Sequence, residues 1–195
     1  GIAMVAARSY LPPFITFTFG NVLMVGGAAA QCIALRQPIE RVFWLVGFAA
    51  YLFLFAVIYE VIRQSGNPTA VRIIFVSLSG AFTGGLTLVS ATSLHRRERG
   101  TGPVMIAFGF AVFTVACIAR AGFVAVVGMP YEYLAGPPRP IEILLIGLQI
   151  VTTIFSQFGF VSLIIERTAA ERMRAREVAL REEAQRQHME AQNRE

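Results

Sequence analysis

One arginine stands where arginine is costly. Arg120 lies among apolar residues, 17 positions after Pro103, so roughly 25 Å along a helix at ~1.5 Å per residue. A charge at such depth in hydrocarbon costs at least ~2.5 kcal/mol on insertion scales unless it pairs or reaches water. The carboxylates of Glu60 and Glu142 are its candidate partners, with Arg63, Arg72, Tyr131 and Tyr133 at about the same level. Such a group supports an outward-facing polar pocket for an anionic or polar signal molecule. It also supports, and more readily, a structural ion pair in which Arg120 reaches towards water and no ligand binds. The candidate ligand-binding residues are therefore Arg120, Glu60, Glu142, Arg72 and Tyr131.

Other chemistries find no residues to carry them. The two histidines, His95 and His188, fall at or beyond the ends of apolar runs, so a bis-histidine haem is not expected. No His, Cys, Asp and Glu grouping has metal-ligand spacing. The glycines of GTGP (100–103) lack the frame of a phosphate-binding loop. No catalytic residue, metal or cofactor is expected. Cys32 and Cys117 lie within apolar stretches and read as buried free thiols.

The elements that hold these residues are set by composition. The chain is 55% hydrophobic with a mean hydropathy of +0.61, too apolar for a soluble domain. Five runs of roughly 20 or more mainly apolar residues can each cross a ~30 Å hydrocarbon core. They are about 12–35, 41–63, 70–94, 103–128 and 141–165, with a stub at 1–7 that reads as the end of an earlier helix. Long continuous runs exclude the alternation of barrel strands. The expected fold is an all-α polytopic transmembrane bundle, residues 1–165, with five full spans plus a partial one. A charged cytoplasmic helix, residues 166–195, follows it.

Charge placement supports this division. Residues 166–195 carry seven Arg and seven Glu, so the net +5 lies in residues 1–165. The basic pI reflects arginines at span ends and implies no nucleic-acid partner. Arg96, Arg97 and Arg99 clustered in the loop HRRERGTG (95–102), together with the tail, are expected to place the C-terminus on the cytoplasmic side of the membrane.

Packing candidates follow from small and polar residues within the spans. Gly80 and Gly84, with Ser77, make a small-residue face for close helix contact. Gln149 and Gln157 lie eight residues apart, near one face of the last span, and suit hydrogen bonding either across a dimer or to a neighbouring span. No proline follows Pro140, so the last span is expected to run on as one helix to Glu195. A seam at Ala169, Met173, Arg176 and Leu180 steps by four and three but fades by Glu183. The tail thus reads either as a parallel homodimeric helix or as a single helix docked on a cytoplasmic partner.

The order of these features resembles the multi-helix, typically seven-span, sensor regions at the N-terminus of bacterial diguanylate cyclases and histidine kinases. The matching residues are FGN (Phe19, Gly20, Asn21), RIIFVSL (Arg72–Leu78), the late Arg120, the Pro-rich loop before the last span, and IIER (Ile164, Ile165, Glu166, Arg167). The resemblance implies a non-catalytic sensor that relays an outer-face or intramembrane signal through its last helix to an output domain. It also implies that residues 1–7 end the second of seven helices. The reading from another class is a structural subunit of a larger membrane complex.

Overall fold

A computed structural model describes residues 12, 14–36, 38–66, 69–127 and 140–192. A π-helical stretch, Phe14–Phe19, runs without a break into α1, Gly20–Ala34. There follow α2 (Pro38–Gln64), α3 (Thr69–Glu98), α4 (Thr101–Val127) and α5 (Pro140–Gln192). Five helical stretches are long and apolar enough to cross a membrane, the first running from Phe17 in the π-helical turn to Ala34, and no strand occurs among the described residues. The chain is an all-α helical bundle and a multi-pass membrane protein. The expected stub at 1–7 and the Pro-rich loop lie outside the described residues.

Apolar residues surround α2 and α4 on every side, as in helices bathed in lipid. Phe43, Phe53 and Phe108 point outwards, while Phe48, Phe55 and Phe110 are buried. Tyr59, near the end of α2, is buried in the bundle, stacked 6.0 Å from Phe55. Its environment explains this: the Asn21 side chain is a hydrogen-bond partner for its hydroxyl, so the polar tip is satisfied inside.

The central helix is α3, the most buried of the five and rich in Ser, Thr and Gly. Small residues let neighbouring backbones approach closely. Thr83 and Thr87 return their hydroxyls to their own helix, at Ser79 O (3.1 Å) and Thr83 O (2.9 Å). Two polar contacts also tie α3 to α1: Thr87 to Ala28 O at 3.4 Å, and Ser90 to the buried free thiol of Cys32 at 3.4 Å. These pairings ascend together along both sequences, so α1 and α3 run parallel.

The α3–α4 and α4–α5 contacts are the most extensive, and both pairs are antiparallel. On α4, Gly102, Ile106 and Gly109 step by four and three. They meet Thr152, Ser156, Gly159 and Leu163 of α5, which step the same way. A Cβ at Gly102 would lie 2.7 Å from the Leu163 backbone nitrogen, and one at Gly159 would lie 2.9 Å from that of Ile106. The two backbones touch there.

The basic segment 95–102, expected as an eight-residue loop, is almost wholly helical. Only Arg99 and Gly100 separate α3 from α4. Arg99 turns the chain with a φ of 49°, and its amide returns to His95 O at 2.8 Å. The His95 ring also contacts Gly100 O at 3.2 Å. This local bonding closes the turn that composition alone reads as a solvated loop.

Candidate functional site

Two polar groups stand at opposite ends of the bundle. At the first, Glu60 of α2 accepts from Thr18 at 2.6 Å, from Gln64 at 2.7 Å, and from Arg63, whose Nε is 2.9 Å away and whose NH2 also bonds. Thr18 is fully buried and belongs to the π-helical turn. Asn21 donates to the Phe17 carbonyl at 2.7 Å, so that turn's backbone is held by side chains. Arg72, at the start of α3, reaches Thr69 at 2.9 Å, while its Nε is buried with no hydrogen-bond partner among the described residues.

The sequence-predicted residues are thus partly gathered. Glu60 and Arg72 flank Tyr59 near one end of α2 and α3. Arg120 is half-buried on α4, one turn beyond Cys117, which packs at Gly80. That pairing sets Arg120 about a turn deeper than Arg72. Tyr131 lies outside the described residues, as do the side chains of Glu142 and Gln149. Gly80 and Gly84 face α4: a Cβ would lie 3.1 Å from Cys117 Sγ at the first, and 2.7 Å from Thr114 Oγ1 at the second. Gln157 is exposed, pointing away from the bundle. Ser77 Oγ is buried without a hydrogen-bond partner among the described residues.

The second group, where α5 leaves the bundle, escaped the sequence reading. Glu166 Oε1 accepts the Thr101 amide at 3.0 Å and the Thr101 hydroxyl at 2.5 Å. The Gly102 amide and the Ser162 hydroxyl lie at 3.4 Å. The first amides of a helix have no partner of their own and carry positive partial charge. A carboxylate from α5 therefore caps α4 from outside. Gly100 leaves room for it, since a Cβ there would meet the Glu166 carboxylate. The next residue grips α3: Arg167 donates Nε to Glu98 Oε2 at 3.2 Å and NH2 to Glu98 Oε1 at 2.8 Å, a two-pronged pair.

The available signal was the dipeptide Glu166–Arg167 at the boundary between apolar and charged sequence. Its partners lie more than sixty residues away and only the antiparallel packing of α4 on α5 reveals them. Among the described residues no group of His, Cys, Asp or Glu is placed to hold a metal ion.

The fold and these two groups define a multi-pass helical membrane protein whose last helix is clamped at its exit. The chain matches no protein-family model, no curated protein and no solved structure.

Proposed function

We propose that this chain is the sensing and transducing portion of a bacterial signalling protein in the inner membrane. Its charged C-terminal helix, residues 166–195, would lie in the cytoplasm and drive an output unit of the histidine kinase or diguanylate cyclase type, as the resemblance implies. The polar group around Glu60, Arg72 and Tyr59, with Arg120 below it, is the input end. The chain works as a homodimer, α5 against α5, and is itself non-catalytic.

One observation carries this reading. α5 is a single helix of 53 residues, and adjacent side chains, Glu166 and Arg167, fasten it to α4 and α3 where it emerges. A rigid element gripped at its exit passes on any small movement of the helices that grip it. Its position supports the dimer: α5 packs on α4 along one side and exposes Ile150, Ile154, Phe158, Val161 and Ile165 on the rest.

The test is hydrogen exchange on the full chain in liposomes. Glu60→Gln and Arg72→Gln each disturb the input end. The relay reading expects altered protection of amides 168–186, far from both positions in sequence. Unchanged exchange there, with α2 and α3 visibly perturbed, would remove the relay. It would leave the competing reading, a structural subunit that docks a partner through the same exposed helix.

A further inference from the structure

A cleft of about 650 Å³ opens beside the Glu166 clamp, between the α1–α2 link, the end of α3 and the start of the exposed part of α5. Its lining is partly apolar, with Leu35, Leu94 and Ala170, and includes Ser90 and Ser93. Arginines enter it from several elements: Arg36 from the link, Arg41 from the start of α2, Arg97 from α3, Arg167 and Arg174 from α5.

Four carboxylates also line the cleft, and most are already engaged. Glu166 caps α4, and Glu98 is held by Arg167. Glu40 lies 3.8 Å from Arg36 NH1. Glu171 is exposed on α5. The arginines are less completely used. Arg36 Nε is buried with no hydrogen-bond partner among the described residues. Arg41 gives its Nε to the Arg36 carbonyl at 3.0 Å and its NH2 to the Ala34 carbonyl at 3.4 Å, which leaves further donors of the guanidinium. Arg97 and Arg174 make no ion pair among the described residues.

We propose that this cleft binds a phosphate-bearing anion, held between Arg36 of the α1–α2 link, Arg41 at the start of α2, Arg97 and Arg174. Guanidinium groups present planar forks of donors that fit phosphate oxygens. The cleft also sits where apolar helix gives way to charged helix, the level of a lipid headgroup, and its apolar lining suits the first part of an acyl chain. Basic pockets between spanning helices hold anionic headgroups in this way. An anionic phospholipid and a free phosphate share the recognised chemistry. A bound phosphate would tie α5 to the α1–α2 link, a connection that the Glu166 and Arg167 contacts do not make.

The protein carries its own reporter. Trp44 is the sole tryptophan of the chain, and the Arg36 guanidinium lies 4.3 Å from its ring centroid. An anion that draws Arg36 from the ring changes the emission. The full chain in neutral detergent is titrated with phosphatidylglycerol, with phosphatidylcholine and with inorganic phosphate. The expected result is a saturable change with phosphatidylglycerol and none with phosphatidylcholine. Saturation by inorganic phosphate as well identifies phosphate itself as sufficient, and its absence assigns the site to the lipid. The double variant Arg97→Gln, Arg174→Gln removes two exposed side chains and is checked for retained helicity and a single species in solution. It is expected to weaken binding at least tenfold. No saturable change with either anion, an equal change with phosphatidylcholine, or undiminished binding by the folded double variant overturns the proposal.

Discussion

Glu166 stands in for the missing cap of another helix: its carboxylate receives the Thr101 amide at 3.0 Å and the Thr101 hydroxyl at 2.5 Å. The contact joins the exit of α5 to the entry of α4 across 65 positions of sequence. Local caps of this kind are worth about 1 kcal/mol. This one does more than end a helix, because it also fixes the height of α5 against the bundle.

Removing that cap is the first prediction. Glu166→Ala leaves the α4 amides without a protein acceptor and is expected to cost about 1 kcal/mol. Glu166→Gln keeps a neutral acceptor and is expected to lose less. Exchange of the amides at 101–104 rises in the order native, Gln, Ala. Equal exchange in all three proteins would show that Glu166 caps nothing.

The neighbouring pair behaves differently. Glu98 and Arg167 are each 38% exposed, so solvent and salt screen them. A double-mutant cycle with Glu98→Gln and Arg167→Gln is expected to give a coupling of about 0.2–1 kcal/mol. Added salt shrinks that coupling, while the loss in Glu166→Ala changes little. A salt-independent coupling would mean that the pair is shielded more than its exposure indicates.

Backbone contact between α4 and α5 gives the third prediction. Gly102→Val and Gly159→Val push a side chain into the facing backbone, which cannot yield as a flexible side chain does. Each is expected to destabilise by about 1–3 kcal/mol, read as a lower thermal midpoint in detergent. Gly27→Ala and Gly122→Ala are the controls, since a Cβ there meets nothing within 4 Å. Equal loss in all four variants would point to a general effect of glycine replacement.

The sequence makes the architecture legible because lipid imposes it. Spans of twenty apolar residues have one solution, the helix, and the breakers QSGNPT (64–69) fall where α2 ends and α3 begins. The site was less legible. Glu60 and Tyr59 sit within one residue of each other, so their shared end of α2 follows from helix geometry. Arg63, three positions on, takes up Glu60 locally, the i,i+3 pairing that helix geometry offers ahead of any partner on another helix. The Glu166–Thr101 and Arg167–Glu98 contacts were hidden for another reason. They depend on which helices are neighbours, and a hydropathy pattern gives each helix without giving its neighbours. Gly102 and Gly159 set that neighbourhood. Each reads as unremarkable alone, and only their facing positions make the close contact.

The last prediction concerns the exposed half of α5. At 100° per residue, Ala169, Met173, Arg176 and Leu180 share one face, and Val178 lies on the opposite one. All of these side chains are exposed in the single chain. In a parallel α5 dimer, identical residues on the seam approach one another and those on the far face do not. Cysteines are placed singly at Met173, Leu180 and Val178 in a Cys32→Ala, Cys117→Ala background, in membranes under mild oxidation. Disulfide dimers are expected at Met173 and Leu180, several-fold faster than at Val178. The seam is short of large apolar residues, so a change at the input end that shifts α5 is also expected to shift the ratio of the two seam cross-links. Uniform rates at the three positions would indicate collision between independent helices. α5 would then be a single solvated rod whose partner is another protein.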